Sequence, residues 1–438
     1  MRVYFTNLGC KLNQAETERW AAQFAAAGWR IAPALEDSDL HVVHSCTVTA
    51  EAERSSRQAA GRARRLERPG PPRRPTRTVL AGCYATSHPE VAAKVAGVDL
   101  IVPNQRKGSL LALVHGAFPD LVPSNEEEIA SEAAAPCAAP NLGRTRSFLE
   151  IEDGCDIGCA FCIIPSVRGP QRSRSLEEVV ADARHLAAAG APEIVVTGVQ
   201  ISSWRSEGRR LPDLVAALLR ALAEDGPAPR LRLSSIAPWE FDRRLLDLFA
   251  DPRLCRHLHL SLQSGAAATL KRMRRPGTPE RYAALLAEIR AAVTGVAITT
   301  DVIAGFPGET ESEFAASLAF VAAMGFAKIH AFPYSPRPGT QAAGMPGQVP
   351  ASVRKERIAR LLDLATRSEE RFWQAQIGKR ATVLWERPRR DGCGQGLTGN
   401  YVRVLCPEAA GLAGTFADAE LVDVETGGVR GRLATFSC

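Results

Sequence analysis

Three cysteines close together near the middle of the chain have the types and spacing of a metal site. The stretch DGCDIGCAFCIIP places Cys155, Cys159 and Cys162 in a C-x3-C-x2-C spacing, with no fourth cysteine or histidine nearby. A structural zinc site is closed by four ligands, and iron–sulfur clusters are held by thiolates, usually four. Three thiolates leave one iron of a cluster open to a small chelating ligand. The alternative is a zinc ion completed by a distant ligand.

A second set of three cysteines is spread over the first hundred residues. Cys10 ends VYFTNLGC, Cys46 ends LHVVHSC and Cys83 ends TVLAGC, so each directly follows a strand-like run. If these strands are parallel and share one sheet, their carboxyl ends and the three thiols meet at one edge. The alternative is three ordinary buried cysteines. The remaining cysteines lack spacing partners and are interpreted as non-ligands: Cys137, Cys255, Cys393, Cys406 and Cys438.

The elements that would position these thiols follow an α/β pattern. Residues 1–122 alternate short apolar runs with helix-like stretches, which predicts a parallel sheet with crossover helices. Residues 145–376 contain six strand-like runs separated by helical stretches, typical of a βα barrel or a doubly wound sheet. Residues 377–438 are rich in glycine and valine and predict a small antiparallel barrel. Residues 123–144, rich in Glu, Ala and Pro, are predicted to be a linker.

Composition limits the class of protein. The 438 residues are 45% hydrophobic and 23% charged, as in an ordinary globular protein, and the net charge of +6 is compatible with a nucleic-acid partner or with a solvated basic surface. No apolar run is long enough to span a membrane, and the amino terminus lacks the pattern of a secretory signal. We therefore expect a cytoplasmic protein without membrane partners. Eleven cysteines in a reducing compartment indicate metal or redox chemistry.

Two groups of basic residues follow chemically interesting segments. Arg168, Arg172 and Arg174 come directly after the cysteine loop, where they are candidates to meet a carboxylate or a phosphate. The stretch LKRMRR, which ends at Arg275, is a candidate for phosphate contacts. A solvated surface is the alternative for both groups.

With these motifs in view, the sequence resembles the methylthiotransferases of the radical S-adenosylmethionine superfamily. The cysteine loop, with Phe161 before its last cysteine, resembles the signature of that superfamily. GCKLNQAETE, SCTVTA and AGCYA resemble the amino-terminal domain of the family, and LSLQSGAAATLKRMRR and DVIAGFPGET resemble later core segments. The resemblance covers nearly the whole chain. It implies a partial (βα)6 radical core and a carboxyl-terminal RNA-binding barrel of the TRAM type, similar to an OB fold.

The resemblance also implies the cofactors. Cys155, Cys159 and Cys162 would hold one 4Fe-4S cluster whose open iron binds S-adenosylmethionine, which is cleaved to give a radical that removes hydrogen from the substrate. Cys10, Cys46 and Cys83 would hold a second 4Fe-4S cluster that carries the sulfur to be inserted. Phe161, Gln263 and Gly305 are the candidate contacts to S-adenosylmethionine, although a plain turn explains Gly305 and a strand-end polar residue explains Gln263 nearly as well. An electron donor and a sulfur donor are implied as partners.

Three substrate branches of the family compete. Two modify an adenosine of tRNA beside the anticodon that carries a threonylcarbamoyl or an isopentenyl group, and the third modifies an aspartate of a small-subunit ribosomal protein. GCKLN, SCTVT and GCYA resemble the threonylcarbamoyladenosine branch. The sequence departs from the family pattern at His44, Asp156 and Ala237, which affects groups around the ligands rather than the ligands themselves. A zinc-stabilised RNA-binding protein without radical chemistry is the non-enzymatic alternative.

Overall fold

The chain is divided into two compact units in a computed structural model that describes residues 1–65, 75–123, 142–223 and 228–434. Unit 1 comprises Met1–Gly143, Asp153–Ile157 and Cys162–Arg172, and unit 2 comprises Arg144–Glu152, Gly158–Phe161 and Ser173–Cys438. Most of the predicted linker 123–144 lies outside the described residues, as do Cys137 and Cys438. The domain boundaries at 122, 144 and 376 therefore stay predictions.

Unit 1 is built on a five-stranded parallel sheet, as the alternating pattern predicts. Its strands are β1 (Arg2–Asn7), β2 (Arg30–Ile31), β3 (Leu40–Ser45), β4 (Arg77–Gly82) and β5 (Leu100–Pro103). They lie in the order β2-β1-β3-β4-β5, and every pairing is parallel. The central strand β3 is buried along its whole length, which explains its continuous apolar run.

The helices of unit 1 connect and cover these strands. They are α1 (Lys11–Ala26), α2 (Ala50–Ala60), α3 (Cys83–Ser87), α4 (Pro89–Ala93), α5 (Leu110–Ala117) and, from the segment after the cysteine loop, α6 (Ile164–Arg168). Helix α1 buries Trp20 and Phe24 against the sheet, together with Val3 and Val42. Helix α2 begins at Thr49, whose side chain accepts a hydrogen bond from the Ala52 amide and caps the helix.

Unit 2 contains the predicted series of parallel strands. They are β6 (Arg146–Glu150), β9 (Glu193–Thr197), β12 (Arg230–Leu233), β13 (Ser235–Ile236), β14 (His257–Leu260), β15 (Ala297–Ala304) and β16 (Lys328–Pro333). Unit 2 also contains the hairpin of β10 (Arg205–Ser206) and β11 (Arg209–Arg210), whereas the short β7 (Glu152–Asp153) and β8 (Arg172–Ser173) have one residue in each unit. Strands β6, β9 and β12 form one parallel sheet, and β13 to β16 form another. The first predicted run is interrupted at Ile151 and the third at Ser234, so six predicted runs give eight strand segments.

Helices alternate with these strands and complete the βα units. They are α7 (Leu176–Ala188), α8 (Leu211–Ala221), α9 (Leu245–Leu248), α10 (Ala267–Arg272), α11 (Pro279–Ala292), α12 (Glu311–Ala323) and α13 (Ala351–Gln374). Capping boxes start α7 at Ser175 with Glu178 and α12 at Thr310 with Glu313. One large apolar cluster joins the strands and helices of this core. Within the described ranges, none of the helices combines the length and apolar character needed to cross a membrane.

The carboxyl-terminal part of unit 2 is a closed five-stranded barrel. Its strands are β17 (Arg380–Glu386), β18 (Gly394–Thr398), β19 (Arg403–Cys406), β20 (Phe416–Glu425) and β21 (Gly428–Leu433), in the order β17-β18-β19-β21-β20. All neighbours are antiparallel except β19 and β21. The prediction of a small barrel is confirmed, and one parallel pair closes it.

A buried ionic cluster ties this barrel to the βα core within unit 2. Glu193 on β9 accepts hydrogen bonds from Arg230 and Arg232 on β12, at 2.5 and 2.8 Å. The same two guanidinium groups donate to the backbone carbonyls of Leu397 and Thr398 in the barrel, at 2.8 and 3.1 Å. Arg230 and Arg232 therefore donate hydrogen bonds both to one buried carboxylate and to backbone carbonyls at the end of a barrel strand.

Candidate metal centres

The three cysteines of the amino-terminal region lie at one edge of the unit 1 sheet. Cys10 precedes the first residue of α1, Cys46 follows β3, and Cys83 is the first residue of α3 directly after β4. The strands β1, β3 and β4 are parallel neighbours, with Asn7 opposite His44 and Ser45 opposite Gly82. The three thiols therefore leave the sheet at its carboxyl edge, as the sequence predicts.

These thiols differ in exposure and interact electrostatically. Cys10 is exposed, whereas Cys46 and Cys83 are buried. Burial, with a smaller contribution from the charges of Cys83 and Cys10, raises the pKa of the Cys46 thiol to about 11. Burial also raises the pKa of Cys83, which Arg168 and Asn104 partly offset. As thiolates, these buried groups need a cation beside them, which is the chemistry that a metal centre supplies.

Two buried asparagines hydrogen-bond to the thiols. Asn104 Nδ2 donates to Cys83 Sγ at 3.4 Å and to the Val167 carbonyl at 2.9 Å. Asn13 Oδ1 lies 3.2 Å from Cys10 Sγ, and its amide group donates to the Ser45 carbonyl at 3.3 Å. A side chain on Gly9 would come within 2.3 Å of Asn13, so glycine is required at that position.

Arg168 is the central charge beside this trio. It is only 3% exposed and donates to Glu16 at 2.9 Å, to Asp153 at 2.8 Å and to Asn13 at 2.9 Å. Lys107 also contacts both carboxylates. Burial alone would raise the pKa of Glu16, but Arg168, a hydrogen bond from His44 and the charge of Lys107 hold it well below its usual value. Glu16, Asp153, Arg168 and Lys107 therefore form a buried network of charged side chains in unit 1.

The contacts of His44 explain how a histidine is accommodated at this departure from the family pattern. Its ring lies against Trp20, with centroids 4.3 Å apart, and its Nε2 lies 3.2 Å from Glu16 Oε2. Its Nδ1 is 2.9 Å from Thr17 Oγ1. Burial lowers the pKa of His44, so the imidazole is neutral at neutral pH and fits into the network without adding charge.

Cys155, Cys159 and Cys162 lie on the loop between β7 and α6. In unit 1, the Cys155 amide donates to the Gly169 carbonyl at 3.2 Å. Gly154 has a φ of +81°, and a Cβ there would approach the Pro170 carbonyl oxygen to 2.0 Å. The start of the loop therefore depends on glycine, because no other residue permits this close backbone approach.

In unit 2, the middle of the loop is fixed to the βα core. The Ala160 amide donates to the Met273 carbonyl at 3.0 Å, and the Ala160 carbonyl accepts from the Ala342 amide at 2.8 Å. Arg275 Nη1 donates to Cys159 Sγ at 3.6 Å. The basic stretch LKRMRR is therefore not uniformly solvated, since its last arginine reaches a predicted cluster ligand.

The three predicted cofactor contacts occupy different positions in unit 2. Phe161 packs edge-on against Phe306, with ring centroids 6.4 Å apart, and Gly305 directly precedes that ring in the chain. Gly305 has a φ of +76°, and a Cβ there would come within 2.4 Å of Arg354. Gln263 has a φ of +78°, unusual for a residue with a side chain, and its amide donates to the Asp301 carbonyl at 2.8 Å.

Several residues at these sites escape prediction from sequence. Asn13 and Glu16 lie in the motif GCKLNQAETE, but their contacts with partners far along the chain appear only in the structure, and Asn104 carries no recognisable spacing. Arg168 was a candidate to meet a carboxylate, and it meets two. His259 Nε2 on β14 lies 3.1 Å from Asp301 Oδ2 on β15. The one sequence signal for this pair is the alternation of His and Leu in β14.

Two family models match the chain. Residues 149–321 match the radical SAM superfamily, and residues 2–103 match a family described as Uncharacterized protein family UPF0004. The threonylcarbamoyladenosine tRNA methylthiotransferase MtaB of Bacillus subtilis is 33% identical over 433 residues, covering 96% of this chain and 93% of the relative. The tRNA-2-methylthio-N(6)-dimethylallyladenosine synthase of Novosphingobium aromaticivorans is 34% identical over 435 residues, covering 98% and 96%.

Solved structures share the fold. The radical S-adenosylmethionine methyltransferase TsrM from Kitasatospora setae superposes with a TM-score of 0.56 at 17% identity, covering 78% of this chain and 77% of that chain. Identity across almost the full length of the relatives shows an enzyme, which rules out the non-enzymatic alternative. The chain belongs to the radical S-adenosylmethionine tRNA methylthiotransferase family, whose enzymes use S-adenosylmethionine and two 4Fe-4S clusters.

Proposed function

We propose that this protein converts N6-threonylcarbamoyladenosine beside the anticodon of tRNA to its 2-methylthio derivative. The similarity of GCKLN, SCTVT and GCYA to the threonylcarbamoyladenosine branch supports this substrate. The relative from Bacillus subtilis carries that activity in its name. An electron donor and a sulfur donor are required partners of this reaction.

The observation that carries the proposal is the placement of a cysteine at the carboxyl ends of three neighbouring parallel strands, β1, β3 and β4. We assign Cys10, Cys46 and Cys83 to one 4Fe-4S cluster and Cys155, Cys159 and Cys162 to the other.

When bound, the cofactors supply reductive cleavage of S-adenosylmethionine and the sulfur and methyl groups that replace hydrogen. The chain's own residues hold and orient them. Asn104 donates to Cys83 Sγ, and the positive charge of Arg168 lowers the cost of thiolate charge at Cys10 and Cys83. Arg275 does the same for Cys159. Hydrogen bonds and charge around the sulfurs tune the potential of such clusters.

We further assign Phe161, Gln263 and Gly305 to the pocket of S-adenosylmethionine. Phe161 and Phe306 form an apolar wall beside the cysteine loop, in a cluster with Ala160, Met273 and Tyr334. The Gly305 amide donates to Glu309 Oε2 at 2.7 Å, so the turn after β15 is fixed. Gln263 lies at the end of β14, where parallel α/β folds bind their ligands.

The substrate is tested with reconstituted enzyme and defined tRNAs. The anaerobic protein is given separate tRNAs carrying threonylcarbamoyladenosine or isopentenyladenosine beside the anticodon, and the digested nucleosides are separated by mass. The 2-methylthio product is expected only from the first tRNA. Product from the second tRNA alone would reassign the enzyme to the isopentenyladenosine branch, which the synthase of Novosphingobium aromaticivorans represents at the same level of identity. Modification of the ribosomal-protein aspartate with neither tRNA changed would reassign it to the third branch.

A further inference from the structure

A cavity of about 400 Å³ lies at the carboxyl edge of the βα core in unit 2. Its walls come from the segments that follow β13 and β14 and from the turn that connects α10 to α11. Ligands of parallel α/β folds bind at this edge, and the volume is in the range of small-molecule sites. Neither the family assignment nor the cysteine motifs give this cavity an occupant.

Arg275 connects the cavity to the cysteine loop. It lines the cavity, and its Nη1 donates to Cys159 Sγ at 3.6 Å. The guanidinium lies 4.4 Å from the centroid of the Trp239 ring, and its Nη2 donates to the Ser261 carbonyl and hydroxyl. Its Nε is buried without a hydrogen-bond partner. A cation with an unused buried donor next to an aromatic ring is a ready partner for a ligand acceptor.

The lining of the cavity is positively charged. The described residues that line it include Arg243, Arg275 and Arg281 and no aspartate or glutamate. Arg243 Nε lies 2.6 Å from Glu288 Oε1, so the charge of Arg243 is already paired by a carboxylate that does not line the cavity. Arg281 is exposed and forms no ion pair within the described part of the chain. The Arg281 guanidinium is thus available to a negative ligand, whereas the terminal nitrogens of Arg275 already donate to Cys159 and Ser261.

The aromatic component comes from Trp239. The ring is partly buried and already stacks against the Arg275 guanidinium. Nucleobases stack on such aromatic and guanidinium faces, and guanidinium forks bind carboxylates with two parallel hydrogen bonds. The cavity therefore combines groups that recognise a planar base with groups that recognise a carboxylate. An apolar substituent alone would leave Arg281 without an acidic partner.

We propose that this cavity is the recognition pocket for the carboxylate-bearing N6 substituent of the target adenosine, with Arg281 as the specificity-determining residue. The proposal rests on the proposed function, because the threonylcarbamoyl group ends in a carboxylate and the isopentenyl group does not. Trp239 stacks on the base or on the planar carbamoyl group, and Arg281 pairs with the carboxylate. S-adenosylmethionine also contains an adenine and a carboxylate, so the experiment distinguishes the two sources.

The experiment measures binding as well as turnover in the cluster-loaded protein. Arg281→Ala and Arg281→Lys are compared with Arg220→Ala, a matched control at an exposed arginine on α8. Each variant is titrated anaerobically with N6-threonylcarbamoyladenosine, with N6-isopentenyladenosine and with S-adenosylmethionine, using quenching of tryptophan fluorescence or calorimetry. KM and kcat are then measured with the threonylcarbamoyladenosine tRNA.

Arg281→Ala is expected to weaken binding of threonylcarbamoyladenosine about tenfold or more, the usual effect of losing a charged hydrogen bond. Binding of isopentenyladenosine and S-adenosylmethionine should be unchanged, and KM should rise while kcat is retained. Arg281→Lys should recover part of the affinity, and Arg220→Ala should match the wild type.

Three results would overturn the proposal. Unchanged binding of all three ligands by Arg281→Ala removes Arg281 from recognition. Weaker binding of S-adenosylmethionine alone reassigns the cavity to the cofactor. Equal weakening of both nucleosides shows a role that does not depend on the carboxylate. The proposed function fails separately, if the wild-type enzyme does not modify the threonylcarbamoyladenosine tRNA.

Discussion

The two cysteine trios of this protein depend on the fold in different ways. Cys10, Cys46 and Cys83 are up to 73 residues apart in the sequence. They lie at one edge of the sheet only because β1, β3 and β4 pair in parallel, so their relative positions depend on the whole sheet. Cys155, Cys159 and Cys162 share one eight-residue loop, whose shape is set by glycine and by a few backbone hydrogen bonds. One predicted centre therefore depends on tertiary structure and the other on local structure. Disturbing the sheet or the loop should affect them separately.

The most direct test of this difference between the two trios is to remove one cysteine from each. Cys159→Ala should abolish formation of 5′-deoxyadenosine and of the methylthio nucleoside. Cys46→Ala should retain cleavage of S-adenosylmethionine and lose the methylthio product by at least hundredfold. Each variant should fall from about eight irons per chain to about four. Iron, sulfide and the two products are measured after anaerobic reconstitution.

Cys393→Ala is the matched control, since Cys393 lies in the barrel and has no partner in either trio. It should keep the wild-type iron content and activity. Normal methylthiolation by Cys46→Ala would show that the first trio is misassigned.

The next largest effect is expected at Arg168, which lies beside the trio built on the sheet. Arg168→Met leaves Glu16 and Asp153 buried without their main partner, and breaking a buried pair in this way costs about 3–5 kcal/mol. Amide hydrogen exchange in β3 and β4 should therefore accelerate, and iron bound by the first trio should decrease. Exchange in β14 and β15 of unit 2 should stay unchanged.

Arg172→Met is the control for Arg168, because its side chain is 55% exposed and contacts Asp153 at 3.4 Å. It should cost about 0–1 kcal/mol, the usual value for an exposed pair. Equal exchange rates in the Arg168 and Arg172 variants would contradict a central role for the buried network.

A third prediction concerns pH and the barrel of unit 2. Arg232, Arg230 and Arg146 lower the pKa of Glu193 from 4.5 to about 2, against the opposing effect of burial. Because the folded-state pKa is depressed, this stabilisation is fully present above pH 4.5 and is lost as the pH falls toward 2. Linkage gives roughly 3 kcal/mol over this window. Hydrogen exchange in β12 and β18 should accelerate accordingly.

Glu193→Gln should lose this pH dependence and accelerate exchange in the same strands already at pH 7. Asp363→Asn is the control, because its pair with Arg367 is 63% exposed on both sides. The control should follow the wild type at each pH. Parallel acid responses of the wild type and Glu193→Gln would locate the acid sensitivity elsewhere.

The fold was largely predictable from sequence because it depends on repeated local signals. A cysteine directly after an apolar run appears three times, and the parallel sheet follows from the alternation of strands and helices. The contacts of Arg168 were not predictable, since Arg168 and Glu16 are 152 residues apart and no periodic pattern connects them. The break of the third strand at Ser234 and the positive φ of Gln263 also lack a local signal. Long-range polar contacts therefore cannot be predicted from local sequence patterns.

The smallest predicted effect tests whether the second trio depends on local backbone shape. Gly154 and Gly158 both have positive φ, at +81° and +66°, so alanine is strained at either position by about 1–2 kcal/mol. A Cβ at Gly158 meets open space, whereas one at Gly154 meets the Pro170 carbonyl oxygen at 2.0 Å. Gly154→Ala must therefore move the backbone that pairs Cys155 with Gly169, and Gly158→Ala need not. We expect Gly154→Ala to lose iron from the loop trio while the sheet trio stays loaded, and Gly158→Ala to keep both. If the two variants retain iron equally, the loop is held by something other than this close approach, and the second centre is less local than its spacing indicates.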